Sequence, residues 1–279
     1  MVRRIVAWLT AHGVADLVLN LHHRPETITA VMGDGGDLGA RVRYSWEQPV
    51  VLGSGGGPRQ ALPILGADPF FIVNGDTITD VDLEALADAH GRTGALVTLA
   101  LVPNREFDRY GGVVVDEHSH VTGFVPRGPS AEGSYHYIGV QAVRAAAFDS
   151  IGPGDVARSI GGVYDSLIAW RPGAVRAFVS DAAFFDVGTV ADYWRTSESF
   201  APGDDPDAPV IGRSVRIDPF ARVRRSILWD DVEVGARAVI DECILTDGVR
   251  IAEAAAYRRA ILIQRDDDVT VVPFDPANR

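Results

Sequence analysis

Phe70–Leu83 reads FFIVNGDTITDVDL, an apolar run that stops on Asn-Gly-Asp-Thr and passes into a segment headed by acids. Bulky apolar β-formers bounded by Asn-Gly predict a strand, and the VDLEALADAHGRTG after it has the period of a helix. A strand leading straight into a helix is the half-unit of an α/β fold, and the pattern repeats on both sides. Upstream, RRIVAWLTAHG predicts a helix closed by Gly13, VADLVLNL a strand over Asp16–Leu21, PETITAVMGDG a helix with Pro25 in its first turn, and RVRYSW a strand. GPRQALPIL predicts a further helix after a glycine-rich turn. Downstream, ALVTLALVP predicts a strand, GGVVVDEHSHVTGFV and SYHYIGVQAV an antiparallel excursion, VYDSLIAWRPG a helix and VRAFVS a strand. Strands alternating with helices imply a doubly wound sheet with right-handed crossovers.

The acidic, proline-rich APGDDPDAP at 201–209 predicts a linker between an α/β domain over residues 1–200 and a C-terminal domain of different periodicity. Beyond the linker the chain can be cut as VRIDPF, ARVRRS, ILWDD, VEVGAR, AVIDEC, ILTDG, VRIAEA, AAYRRA and ILI. These are six-residue blocks with a five-residue block at every third place, and aliphatic residues recur at first and third positions. Hexapeptide periodicity predicts a β-helix over 210–263, whose coils bury ladders of Val and Ile against one another. Residues 264–279 then read as a tail.

Composition limits the function. The chain has 279 residues, 47% of them hydrophobic, and a net charge of −12, which argues against nucleic-acid binding through a basic field. Cys243 is alone, so neither a disulfide framework nor a cysteine zinc site is expected. No apolar run reaches membrane-spanning length, so the expectation is a cytoplasmic protein without membrane contact.

Three stretches could carry chemistry. Val51–Leu62, VLGSGGGPRQAL, places four glycines among Gly53–Gly57, a loop that backbone could use to approach a flat or phosphorylated ligand. It fits neither the Walker pattern nor the dinucleotide fingerprint. Asp76 sits where a strand ends, the place where open α/β sheets bind ligands. Asp186, in FFDVGT, sits at a second such end. Two strand-end carboxylates suit Mg²⁺, a hard ion that takes one or two carboxylates and completes its shell with phosphate oxygens and water. The competing reading of both is helix capping, and Thr189 with Asp192 spells a capping box.

Taken in order, LGSGGG, VNGDT, YHYIGVQ, FFDVGT and the hexapeptide coils resemble the sugar-1-phosphate nucleotidylyltransferases, and most of all the mannose-1-phosphate guanylyltransferase and N-acetylmuramate-1-phosphate uridylyltransferase branch. The resemblance runs from Arg3 to Ile263. It implies a Rossmann-like doubly wound mixed sheet followed by a short left-handed β-helix. The implied activity joins a nucleoside triphosphate to a sugar 1-phosphate and releases pyrophosphate. On this resemblance Gly53, Ser54, Gly55 and Gly75 face the nucleotide with Glu47 nearby. Gly112, Tyr137 and Gly139 line the sugar pocket, and Asp76 and Asp186 hold Mg²⁺.

Two departures accompany the resemblance. Family members open with a strand, a G-x-G-T-R loop and a Pro-Lys that grip the triphosphate, whereas VRRIVAWLTAHGV corresponds to the helix after them. The expectation is therefore a fragment of a longer protein, with the activity of the fragment by itself left open. Many relatives also carry Glu-Lys-Pro where GFVPRGP stands here, which leaves Arg127 as the cation at that position. A non-catalytic relative that binds a sugar nucleotide as a regulatory or scaffold subunit is the alternative. Asp80-Val81-Asp82 spells the D-x-D of glycosyltransferases but falls at a helix start, and the coils contain no His for hexapeptide acyl transfer. The exposed end of the β-helix is the expected contact for a homo-oligomer.

Overall fold

The computed structural model describes residues 1–275 except 202, 204, 206 and 267. The chain divides into two compact units, Met1–Asp186 and Val187–Arg279.

In the first unit the elements run α1 (Val2–Ala11), β1 (Asp16–Leu21), α2 (Pro25–Met32), β2 (Arg41–Trp46), α3 (Gly53–Leu65), β3 (Phe70–Val73), β4 (Thr77–Thr79), α4 (Leu83–Gly91) and β5 (Val97–Pro103). They continue with β6 (Gly112–Val115), β7 (Val121–Val125), β8 (Tyr135–Val143), α5 (Tyr164–Trp170), β9 (Val175–Val179) and β10 (Phe184–Asp186). The antiparallel excursion does not stay at the margin. Its last strand, β8, returns between β3 and β5 and is antiparallel to both, while β5 and β9 run parallel. With β6 and β7 these strands form a six-stranded mixed sheet. β1 and β2 pair in parallel as a separate two-stranded sheet.

β5 fixes the core because the first six of its seven residues are buried. Val97, Leu99 and Leu101 face one cluster with Phe148 and Tyr164, while Ala100 and Val102 face another with Ile5, Leu9 and Leu86. A strand covered on both faces reads as a continuous apolar run, as VTLALV does.

One local reading is corrected and one holds. The glycines at 53–57 are not a turn before a helix but the first turns of α3 itself. In D-x-D, Asp82 caps α4 by accepting from Ala85 N at 2.9 Å, and Asp80 accepts from Ala183 N at 2.7 Å. Both acids satisfy backbone donors.

In the second unit α6 (Val190–Ser199) opens with the expected capping box between Thr189 and Asp192. The helix groups with the C-terminal unit, not with the α/β unit, because Trp194 is buried in a cluster with Ile227, Ile244 and Phe274. The coils repeat every 17 residues, six plus six plus five: Ile227 pairs with Ile244 and Ile244 with Ile261, Glu233 with Arg250, Val239 with Ala256. In the six-residue blocks, first and third positions such as Val232, Val234, Ala238 and Ile240 fill the interior. The five-residue blocks depart from that rule. There the second residue turns in (Leu228, Leu245, Leu262), and the first (Ile227, Ile244, Ile261) packs outside beside Trp194. One missing residue shifts the inward position, since strand side chains alternate.

Three charge columns run along the coils. Arg216, Glu233 and Arg250 are register partners, as are Arg224, Asp241 and Arg258. One residue further on, Glu242 lies 3.4 Å from Arg225 and 2.7 Å from Arg259. The expected tail is structured where it is described: Asp268–Pro273 pairs antiparallel with Ala260–Arg265, and Phe274 is buried. Residues 276–279 lie outside the described residues. No helix among the described residues is long and apolar enough to cross a membrane.

Candidate active site

β3 leaves the sheet at Val73, and Asn74, Gly75 and Asp76 form an exposed turn before β4. That turn is held by β8. Asn74 N donates to Gly139 O at 2.8 Å, and Gly139 takes φ +78°, a left-handed backbone that suits glycine. A Cβ at Gly139 would lie 2.8 Å from Thr77 Oγ1 and 3.0 Å from Asn74 Cβ, so β8 approaches closely because residue 139 has no side chain. β4 pairs antiparallel with β10 in a register that sets Thr77 opposite Asp186. The two acids, 110 residues apart in sequence, therefore stand at one end of one short ladder. Among the described residues no group of three or more His, Cys, Asp or Glu could hold a metal. The donor set is two carboxylates, hard oxygens that fit a divalent cation completing its shell from phosphate and water.

Tyr137 lies on the same strand as Gly139. Its hydroxyl oxygen is buried and has no hydrogen-bond partner among the described residues. Burial, then the neighbouring Tyr164 and Asp76, hold its ionisation well above the ordinary phenol range. A buried hydroxyl without a partner costs about 1–3 kcal/mol, which a ligand hydroxyl or phosphate oxygen would recover. Gly112, at the start of β6, is tightly packed. A Cβ there would fall 2.1 Å from Ser134 Oγ and 2.8 Å from Val125 Cγ2, so the glycine is needed for packing between β6 and its neighbours.

The glycine-rich stretch is also occupied. Gly55 N and Gly56 N donate to Ala157 O at 2.9 and 3.3 Å, and Ser54 Oγ accepts from Ser159 N at 3.0 Å. These are donors that a helix N-terminus would otherwise offer to an anion. Glu47 is buried. Its carboxylate accepts from Leu52 N at 2.6 Å and Asn20 Nδ2 at 3.0 Å, bracing the loop from Gln48 to Leu52, whose Val50 and Val51 are half exposed. Gly75 has open space around the position of a Cβ. Arg127 lies on the exposed turn after β7, where Gly128 N donates to Phe107 O at 2.7 Å.

The arrangement contains a group that sequence reasoning missed. Arg109 Nη2 lies 3.8 Å from Asp186 Oδ2, and its guanidinium carbon is 4.7 Å from the centre of the Tyr110 ring. Tyr110 packs on His136 (centroids 4.1 Å apart, 33° between planes), and His136 lies 5.0 Å from Phe184. Burial pushes the His136 imidazole down to about 4, with the Arg109 charge acting the same way, so the ring is neutral at neutral pH.

Residues 1–202 match the model of the family described as nucleotidyl transferase, and residues 187–264 match the GlmU-like C-terminal hexapeptide family. The chain belongs to the nucleotidyl transferase family. The α6 helix is where the two matches overlap. Among curated relatives, a mannose-1-phosphate guanylyltransferase of Mycobacterium tuberculosis is 26% identical over 264 residues, covering 91% of this chain and 73% of that protein. A D-glycero-α-D-manno-heptose 1-phosphate guanylyltransferase of Aneurinibacillus thermoaerophilus is 31% identical over 192 residues, 68% of this chain and 80% of that protein. A UTP–glucose-1-phosphate uridylyltransferase of Synechocystis is covered over 66% of its length. In fold, the chain is similar to HddC from Yersinia pseudotuberculosis complexed with GMP-PN, with TM-score 0.61, 22% identity, and 71% of this chain and 84% of that one covered.

For this member of the nucleotidyl transferase family, the end of the β4–β10 ladder brings together Asp76, Asp186, Tyr137 and Gly139. Glu47, Gly53, Ser54 and Gly55 form a second group around the start of α3. Arg109 was missed because RYGG draws attention to its glycines. A cation two residues before Gly-Gly was the available signal.

Proposed function

We propose that the ladder end where Thr77 faces Asp186 is the reaction centre for transfer of a nucleotidyl group from a nucleoside triphosphate to a sugar 1-phosphate. A phosphate oxygen of the sugar 1-phosphate attacks the α-phosphorus in line. The bond from that phosphorus to the bridging oxygen breaks, and pyrophosphate leaves. No covalent nucleophile on the chain is required. Asp76 and Asp186 would hold Mg²⁺, which when bound supplies charge neutralisation on the phosphate oxygens. The chain's own part is positioning: β8 fixes the Asp76 turn through Gly139, and Tyr137 on the same strand, with its buried hydroxyl unpartnered, would line the sugar side. The loop braced by Glu47, with Gly53, Ser54, Gly55 and Gly75 around it, would face the nucleotide through the exposed backbone near Val50 and Val51. Arg127 is assigned an accessory charge at most.

The observation that carries this reading is the pairing of two strand-end acids across one ladder, in a chain of the nucleotidyl transferase family. A sugar-nucleotide-binding scaffold would not need both. A nucleoside triphosphate substrate also fits a cytoplasmic protein, and the net charge of −12 fits one that does not bind nucleic acid. The end of the β-helix is the proposed self-association surface. The test is incubation of the chain with Mg²⁺, GTP or UTP, and mannose, glucose or N-acetylmuramate 1-phosphate, with product read by mass spectrometry. NDP-sugar and pyrophosphate are expected, and Asp76→Asn should abolish both. No product with any of these pairs would count against the proposal.

A further inference from the structure

The structure assigns Asp80 a positioning role: its carboxylate, with the Thr79 hydroxyl, locks the register of β10 on β4 that sets Asp186 opposite Thr77. This inference rests on the reaction centre just proposed. It gives the first acid of D-x-D a function that is neither metal binding nor helix capping. The ladder consists of the pairs Thr79–Phe184, Ile78–Phe185 and Thr77–Asp186. Thr79 and Ala183 are 104 residues apart, so no hairpin turn fixes the alignment of the two strands. Two short strands by themselves are marginal. Something else must set their register.

Ala183, just ahead of β10, is held at both of its backbone groups. Ala183 N donates to Asp80 Oδ1 at 2.7 Å, and Ala183 O accepts from Thr79 Oγ1 at 2.7 Å. The backbone bond at this point, from Asp80 N to Ala183 O, is long at 3.4 Å. The two side chains therefore carry a contact that the backbone makes only weakly. The Thr79 hydroxyl is oriented for its part, because it also accepts from Val81 N at 3.2 Å. The segment bearing the clamp is itself fixed: Thr79, Val81 and Leu83 are buried, and Asp82 caps α4. Asp80 thus projects from an anchored stretch and takes hold of a distant one.

Side chains alternate along a strand, so a slip of one residue would put Phe185 where Asp186 stands and turn the carboxylate to the opposite face. Fixing residue 183 fixes where the chain arrives three residues later, opposite Thr77 and so beside Asp76 in the turn. The two acids are then placed by two separate devices. β8 holds the Asp76 turn through Gly139, and the Thr79–Asp80 clamp holds the approach to Asp186. What this asks of Asp80 is an acceptor oxygen and not a charge, since its partner is a neutral backbone N–H. A hard metal ion asks for the charge as well. The two roles therefore respond differently to an amide in place of the carboxylate.

The test uses the whole chain and its Mn²⁺ affinity, read by electron paramagnetic resonance on samples that circular dichroism shows to be folded. Asp80→Ala removes the acceptor and should weaken Mn²⁺ by about tenfold, the worth of a hydrogen bond to a charged group. Asp80→Asn keeps an acceptor oxygen and should return the affinity to within about threefold of the parent. Thr79→Val keeps the branched shape, removes the hydroxyl and should weaken Mn²⁺ in the same direction, with Thr79→Ser restoring it. The inference is overturned if Asp80→Asn loses as much affinity as Asp80→Ala, because Asp80 would then act through its charge. It is also overturned if Asp80→Ala lowers the urea midpoint while Mn²⁺ affinity stays at the parent value, as a merely structural contact would have it. Asp186→Asn separates the two levels. If the unaltered chain binds no Mn²⁺, or if Asp186→Asn leaves binding intact, the metal assignment fails and this inference with it. If Asp186→Asn removes Mn²⁺ but Asp80→Ala does not weaken it, the reaction centre stands and the role of Asp80 falls.

Discussion

Substituting Gly139 by Ala tests whether the Asp76 turn is positioned by backbone contact with β8. Residue 139 has φ +78°, and an L-residue there costs about 1–2 kcal/mol. The added methyl would meet Thr77 Oγ1 at 2.8 Å and Asn74 Cβ and Cγ at 3.0 and 3.1 Å, distances at which something must shift. The atoms it meets are short side chains on a turn hydrogen-bonded to residue 139 itself, so relief means moving the turn away. Overpacking of this kind costs about 1–3 kcal/mol. Together the two effects predict a loss of about 2–5 kcal/mol, a large part of a typical total of about 5–15 kcal/mol. The movement also takes Asp76 away from Asp186, so Mn²⁺ affinity should fall in molecules that remain folded. Gly75→Ala is the control, because no atom lies within 4 Å of its Cβ position and its φ is not positive; it should stay within about 0.5 kcal/mol of the parent. Urea unfolding monitored by tryptophan fluorescence, with Mn²⁺ titration at low urea, measures both quantities. Positioning by β8 is refuted if Gly139→Ala unfolds and binds Mn²⁺ like the parent, or if Gly75→Ala does equal damage.

His136 predicts a pH effect of definite sign. Its imidazole is depressed from 6.5 to about 4, so the neutral ring contributes stability above pH 6.5 that is lost as pH falls toward 4, up to about 3 kcal/mol; His136→Phe should flatten the urea-midpoint profile over that interval. In the β-helix, Ala254 holds φ +58° and is exposed, so Ala254→Gly should stabilise the chain by up to about 1 kcal/mol, read as a higher melting temperature.

Most elements of the α/β unit were legible because period and punctuation agreed locally. VTLALV could only be a strand covered on both faces, and the 17-residue spacing of the coils was present in the block lengths themselves. The readings that shifted depend on partners distant in sequence. Gly53–Gly57 forms helix because Ala157, a hundred residues on, accepts its first N–H groups. The side on which α6 packs is decided by Ile227 and Ile244, which turn outward only because their blocks are one residue short. At the site, strand-end position singled out Asp76 and Asp186, but nothing in sequence places Arg109 beside Asp186. That contact exists because β10 closes on β4 while the turn before β6 folds back.

The charge columns of the β-helix have a consequence for how such a coil array can lengthen. In shape the repeat is one coil of 17 residues, since each strand lies in register on the next. In charge the repeat is two coils: Arg224 faces Asp241, which faces Arg258, and the columns through Glu233 and Glu242 alternate in phase with it. Duplicating one coil would stack guanidinium on guanidinium, or carboxylate on carboxylate, in all three columns at once. Duplicating a pair would preserve every contact. Growth of this domain by whole repeats is therefore quantised in steps of two.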